Sequence, residues 1–291
     1  MTPPADSGRM RRLLPVLLAL TLLSGCGGVD ASLIATAVRN TQEAGGAEVA
    51  FRLDMKLPFV EQPVAMTGTG VEDASRRRAQ LSFDLSSLSR LPGAAGVCGD
   101  DCEMKEVVDG YSIYMHSPLF ATGLGGKEWM KLDIKRFGDS LGIPTGDPRM
   151  ATQSPSEALR MLGGVSGGVR DEGREQVRGV EATHYSATVD LRRSVEQLPE
   201  SQREAARRGI DRVIAVTGQE KLPFDVWIDD DDRVRRFEMD QTMKPGGVEL
   251  KMHMTLEYVR FGVPVEIDLP ADDEVFDATD LALQQMNQNL P

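Results

Sequence analysis

The chain contains few residues of several chemically important kinds, and each shortage narrows the functions it could have. Its 291 residues include 3 cysteines, 3 histidines and 5% aromatic residues, and its formal net charge is −12. So few histidines argue against a His-based metal centre. An acidic chain without a dense basic cluster argues against nucleic-acid binding, because that affinity comes largely from cations that neutralise phosphates. The apolar run from Leu13 to Leu23 has about eleven residues, whereas a membrane-spanning helix needs about twenty.

The N-terminal segment has the pattern of an export signal. Arg9, Arg11 and Arg12 precede the short apolar run, as the charged region of a secretory signal does. The run ends in Leu23-Ser24-Gly25-Cys26, which resembles the bacterial lipobox. The alternative is a plain signal followed by a chance cysteine.

The lipobox resemblance implies that Cys26 carries a diacylglycerol and becomes the first residue after residues 1–25 are removed. Residues 26–291 are then long enough for a single domain. The signal carries charges of +3 and −1, so its removal lowers the formal net charge from −12 to −14. Because two acyl chains anchor a protein stably, we expect it on the extracytoplasmic face of the cell membrane.

Two further clusters could be taken for metal sites. Cys98 and Cys102 are separated by a Gly-Asp-Asp turn, and an exported chain meets oxidising conditions, so we predict a local disulfide between them. A metal site or a redox-active pair is the alternative, although a redox pair is usually Cys-x-x-Cys at a helix start. The run Asp229–Asp232 lacks the glycine and downstream glutamate of a calcium loop, which favours a hairpin turn.

Alternation of apolar and polar residues predicts a long series of strands. Val49 to Leu57 alternates strictly, and so does Val248 to Tyr258, which would be about 33 Å long at about 3.3 Å per residue. Helical patterns are fewer and lie at Asp30–Ala44, Ser154–Leu162 and Glu200–Val216. These helices are too few for a parallel α/β fold. The sequence therefore predicts an α+β domain: a large curved antiparallel sheet of about ten or eleven strands, bent into a half-barrel, with helices on its concave side.

The apolar faces of the predicted strands are rich in methionine, which adapts to irregular partners. A wide sheet with few helices and an adaptable lining suggests a cavity that the protein does not fill completely. We expect ten residues near this cavity: Phe51, Leu53, Met55, Leu81, Phe83, Ile113, Met115, Leu250, Met252 and Met254. A shift of one residue in any strand would place its whole set on the other face.

An ordered set of motifs resembles one family of proteins. The lipobox is followed by Gly179–Tyr185 leading to Val189-Asp190, then by Pro223–Asp229 and by Tyr258–Val265. Together they are similar to the actinobacterial lipoproteins LppX, LprA, LprF and LprG. The resemblance implies a fold like that of LolA and LolB, an open half-barrel whose hydrophobic cavity holds acylated lipids.

The implied function is to bind acylated lipids or lipoglycans and carry them across the cell envelope. The expected partners are that ligand, the membrane through lipidated Cys26, and a lipid transporter. No cofactor and no catalytic residue are expected.

Two other functions are alternatives to lipid carrying. Gly164 to Gly168 matches the G-x-S-x-G of hydrolases around Ser166, with His184 as a downstream base, but that motif requires a strand before the serine and a helix after it. Here a helical pattern comes first, and His184 lies in a strand pattern. The remaining alternative is a surface lipoprotein that carries nothing and docks a transporter, a sensor or a cell-wall factor.

Overall fold

The computed structural model describes residues 31–91, 102–120, 123–136, 168–197, 200–243 and 248–289. The predicted signal, Cys26, the predicted helix 154–162 and Ser166 lie outside these residues. The strands are β1 (Gly46–Lys56), β2 (Val64–Asp73), β3 (Arg78–Asp84), β4 (Glu103–Asp109), β5 (Ser112–His116), β6 (Trp129–Asp133), β7 (Arg170–Val177), β8 (Val180–Asp190), β9 (Lys221–Asp229), β10 (Val234–Met243), β11 (Leu250–Phe261) and β12 (Val275–Asp277). The α-helices are α1 (Ala31–Glu43), α2 (Leu191–Ser194), α3 (Glu200–Thr217) and α4 (Thr279–Asn289). Short 3-10 turns lie at Ser86–Arg90, Pro118–Phe120, Val195–Gln197 and Asp272–Glu274.

All twelve strands belong to one open sheet, in the order β12-β6-β5-β4-β3-β2-β1-β11-β10-β9-β8-β7. Strands β1 to β6 run outward from the centre as one meander, and β7 to β11 run inward from the opposite edge as a second. The two meanders meet where β1 pairs antiparallel with β11, at a junction that we call the central seam. The predicted α+β class with a large sheet is confirmed.

The prediction of ten or eleven antiparallel strands missed β12. This strand has three residues, too few to show alternation, and it pairs parallel with β6. The extended segment 263–269, which alternates in sequence, is not one of the strands. Pro264 has no N–H to donate to a ladder.

One face of the sheet, the inner face, forms the core with the helices. Ile34, Ala37 and Val38 of α1 belong to the same buried cluster as Val49 of β1 and Phe237 of β10. Helix α1 ends at Glu43, the positive-φ residue Gly45 follows, and β1 begins at Gly46.

Thr41 fixes the end of α1 against the sheet. Its hydroxyl donates to the carbonyl of Ala37 at 2.7 Å and accepts from the backbone N–H of Val234, the first residue of β10, at 2.8 Å. Ile210 and Ile214 of α3 pack against the same cluster. Helices therefore cover part of the inner face.

The two edges of the sheet are protected differently. Strand β7 is charged and exposed from Arg170 to Gln176, and Gly173 interrupts its register with β8. Such an edge resists pairing with another strand. At the opposite edge β12 covers β6, and Thr279 at the start of α4 accepts a hydrogen bond from the backbone N–H of Asp133 at 3.0 Å.

Candidate functional site

The register places all ten predicted lining residues on the inner face. Residues directly opposite each other in an antiparallel pair share a face, and the pairs join the predicted residues across six neighbouring strands. On one side of β1 the pairs are Phe51 with Leu256, Leu53 with Met254, Met55 with Met252, and Leu250 with Met243 on β10. On the other side they are Phe51 with Gly68, Gly68 with Phe83, Leu81 with Glu106, Glu106 with Met115, and Ile113 with Val108.

Burial along this face is uneven. Leu81, Phe83 and Ile113 are buried. The remaining predicted residues are only half-buried: Phe51, Leu53, Met55, Met115, Leu250, Met252 and Met254. Met66 and Met243, which pair with Leu53 and Leu250, are half-buried too. Apart from Met115, which the register places on the same row as Val49, these half-buried residues extend from Phe51 to the end of the sheet where β1 ends and β11 begins, opposite the end at which α1 meets β1. We call this part of the inner face the apolar end.

A glycine on β2 makes room for two aromatic rings beside the apolar end. Gly68 lies between Phe51 and Phe83, whose rings meet edge to face with centroids 6.1 Å apart. A Cβ atom on Gly68 would lie 2.6 Å from Cδ1 of Phe83. Only glycine leaves this ring arrangement undisturbed.

Strand β4 contributes a carboxyl group to a part of the inner face where its neighbours are apolar. Glu106 lies between Leu81 and Met115 across the strands and between Met104 and Val108 along its own strand. It is 6% exposed, and its Oε1 atom has no hydrogen-bond partner among the described residues. Burial raises the pKa of Glu106 to about 7, because the ionised form loses its hydration. Glu106 was not among the residues predicted to line the cavity. Its position two residues from both Met104 and Val108 places it on their face of the strand, and this spacing could have identified it.

The four-aspartate run forms the predicted turn between β9 and β10. The Asp229 carboxylate accepts hydrogen bonds from the backbone N–H groups of Asp231 and Arg233, and it pairs with Arg235 at 2.5 Å. The turn borders a polar cleft of about 170 Å³ that also includes Val180 and Glu181. Within the described residues, no group of three or more His, Cys, Asp or Glu side chains could hold a metal ion.

His184 lies on the outer face of β8, where it has structural partners. Its Nδ1 atom lies 3.2 Å from a carboxylate oxygen of Glu175, and its Nε2 atom lies 2.8 Å from one of Asp225. Its ring stacks on Trp227 with centroids 4.2 Å apart. The Trp227 indole donates a hydrogen bond to Glu175, which holds the pKa of that carboxyl below its usual value. Ser166, its hypothetical partner in hydrolysis, lies outside the described residues.

The cysteine predictions fall partly on described residues. Cys102 is buried and disulfide-bonded. Cys98 lies outside the described residues, so the pairing of Cys98 with Cys102 stays a prediction, as does lipidation of Cys26. No helix among the described residues is both long enough and apolar enough to span a bilayer.

Solved structures of three proteins are similar to this chain over most of its length. The chain is similar in structure to LppX and LprF. For LppX from Mycobacterium tuberculosis the TM-score is 0.45 at 17% identity, over 82% of this chain and 100% of that one. For LprF from Mycobacterium bovis it is 0.43 at 14% identity, over 83% and 96%. A LolA superfamily protein from Nitrosomonas europaea gives 0.31 at 10% identity, over 83% and 96%.

Sequence comparison adds a distant relative. An uncharacterised 31.2 kDa protein of Streptomyces griseus, from the rplA-rplJ intergenic region, is 29% identical over 170 residues. The match covers 56% of this chain and 52% of that protein, so the chain spans about half the length of the curated relative it matches. No protein-family model matches the chain.

Proposed function

We propose that the protein is a lipid-anchored envelope lipoprotein that binds acylated lipids or lipoglycans against the apolar end and carries them across the cell envelope. The observation that carries the proposal is the half-buried apolar end, which lies on the same face as the buried core. Phe51, Leu53, Met55, Leu250, Met252 and Met254 would contact acyl chains there. Met115 would extend the contact surface to β5, with Leu81, Phe83 and Ile113 on the same face. Seven of these ten side chains are half-buried.

The energetics of acyl transfer explain why an apolar surface is sufficient to carry a lipid. Moving a methylene from a bilayer into water costs about 0.8 kcal/mol, so a sixteen-carbon chain faces a barrier of about 12 kcal/mol. An apolar surface on the protein offsets most of this cost by replacing the bilayer as solvent. The step changes no covalent bond, so the proposal assigns no catalytic residue and no cofactor.

Native mass spectrometry of detergent-free protein tests the proposal. A carrier is expected to retain lipid adducts from the membrane in which it was made. Met252→Trp adds a bulky ring to the apolar end and should reduce the adducts by at least a few fold while the protein stays folded. Lys251→Trp is the matched control, because the neighbouring side chain lies on the outer face and is exposed. Bare polypeptide from the unaltered chain would contradict lipid carrying and favour a docking role instead.

Anchoring and the disulfide require separate tests. The proposed lipid anchor is Cys26, so Cys26→Ser should move the protein from the membrane fraction to the soluble envelope fraction. The proposed disulfide joins Cys98 and Cys102, and peptide mapping under non-reducing conditions should find the two in one cross-linked peptide. A transporter that loads or unloads the carrier is the remaining proposed partner, and co-purification after cross-linking would identify it.

A further inference from the structure

Glu106 differs from Glu72, which is also buried on the inner face. Glu72 of β2 is 2% exposed, and its carboxylate accepts a hydrogen bond from the Tyr258 hydroxyl at 2.8 Å. Glu106 is comparably buried, yet its Oε1 atom has no such donor among the described residues. A buried polar atom without a hydrogen bond lowers stability, and an apolar side chain would avoid that loss.

The surroundings of Glu106 are those of the proposed lipid site. Its cross-strand neighbours are Leu81 and Met115, two of the predicted lining residues, and Met104 and Val108 flank it on β4. None of these four side chains carries a charge or a strong hydrogen-bonding group. A ligand that lies along this face would therefore meet one polar group at the level of β4.

We propose that Glu106 is a recognition point for a neutral, oxygen-bearing group of the ligand, either an ester carbonyl or a hydroxyl attached to its acyl chain. This inference rests on the proposed function and specifies the ligand class: acyl esters or hydroxylated acyl chains rather than plain hydrocarbon or cationic amphiphiles. The protonated carboxyl donates to the ligand oxygen, and its carbonyl oxygen accepts from a ligand hydroxyl.

The electrostatics favour a neutral partner. The apolar neighbours disfavour the ionised carboxylate, so the neutral form persists to a higher pH than it does in water. A neutral carboxyl makes an ordinary hydrogen bond with an ester carbonyl. A cationic amine would require the carboxylate to ionise inside this apolar surface, which costs free energy unless the pair is well hydrogen-bonded.

The test compares two probes of equal chain length that differ by one group. Methyl palmitate carries an ester, and octadecane has the same number of chain atoms and no oxygen. Each is delivered from cyclodextrin to delipidated protein, and bound probe is quantified by native mass spectrometry. We expect the unaltered protein to prefer methyl palmitate by about five-fold, the effect of one net hydrogen bond.

Variants at residue 106 decide whether this preference arises there. Glu106→Met should bind octadecane as before and lose the ester preference. Glu106→Gln should keep most of the preference, because the amide still donates a hydrogen bond. Lys105→Met is the control on the same strand, since Lys105 is exposed on the opposite face and its replacement should leave both affinities unchanged.

Four outcomes would overturn the inference. An ester preference that survives in Glu106→Met would place its origin elsewhere. Tighter binding of hexadecylamine than of methyl palmitate, lost in Glu106→Gln, would show that Glu106 selects a cation. Failure of both neutral probes to bind the unaltered protein would refute the lipid-binding proposal as well. Octadecane binding without any ester preference would refute the role of Glu106 alone.

Discussion

Replacing Glu106 with glutamine removes the titration of one buried carboxyl while keeping the size of the side chain. Burial raises the pKa of Glu106 to about 7 in the folded protein, against an ordinary value of 4.5. Between these two pH values, Glu106 therefore keeps its proton in the folded protein and loses it in the unfolded chain. The contribution of this carboxyl to stability should be greatest below about pH 4.5, where both states are protonated, and should be lost as the pH rises through about 7.

The size of the effect follows from the pKa difference. A difference of about 2.5 pH units corresponds to about 3 kcal/mol at about 1.36 kcal/mol per unit, and about 2.5 kcal/mol of it falls between pH 5 and pH 8. Because Glu106 is 6% exposed, little of this effect is lost to solvent screening. The groups that face it within the sheet, Leu81 and Met115, do not titrate, and neither do Met104 and Val108 beside it.

Urea unfolding of delipidated protein at pH 5 and pH 8 measures the effect. Other acidic groups also change stability with pH, so the informative quantity is the difference between the unaltered protein and Glu106→Gln. The unaltered chain should lose about 2.5 kcal/mol more than the variant over this interval. Glu103→Gln controls for the loss of a carboxyl from the same strand, on its outer face. Identical pH dependence in the unaltered protein and Glu106→Gln would refute the assignment of a buried, titrating Glu106.

Three further substitutions test packing and buried polar contacts by the same unfolding measurement. Gly68→Val should lower stability by about 1–3 kcal/mol, because the new side chain overlaps the ring of Phe83; an unchanged midpoint would mean that the ring moves freely. Tyr258→Phe should cost about 2 kcal/mol, because it removes a donor to a buried carboxylate on β2; stability equal to that of the unaltered protein would show that another donor takes its place. Arg235→Met should cost about 3 kcal/mol, because it leaves the buried Asp229 carboxylate without its cation; a smaller loss would mean that the backbone N–H groups of the turn suffice.

The residues of the inner face could be predicted from the sequence, because successive side chains of a strand must alternate between the two faces of the sheet. Once β1 is recognised as a strand, Phe51, Leu53 and Met55 must share one face. The register irregularity at Glu48/Val49 precedes these residues and does not change their order. The same holds for Met252 and Met254 on β11. The helix over residues 31–43 was also predictable, from its apolar spacing and the glycines that follow it.

Other features left little trace in the sequence. Strand β12 has three residues and depends on its contact with β6, and α4 lacks a strong apolar stripe, with Leu281 exposed. Glu106 belonged to a correctly predicted strand, but a charged residue in a strand is normally expected on the solvent face. How far the apolar end is open depends on helix packing, which alternation along a strand does not encode.

The central seam has a consequence for how the protein is made. Each meander is built from neighbours in sequence, whereas β1 and β11 are separated by about two hundred residues, so their pairing carries the largest loop-closure cost. Synthesis from the N-terminus delivers β1 first and β11 among the last segments. The first meander must therefore remain with β1 unpaired along one side until the C-terminal third of the chain has been made.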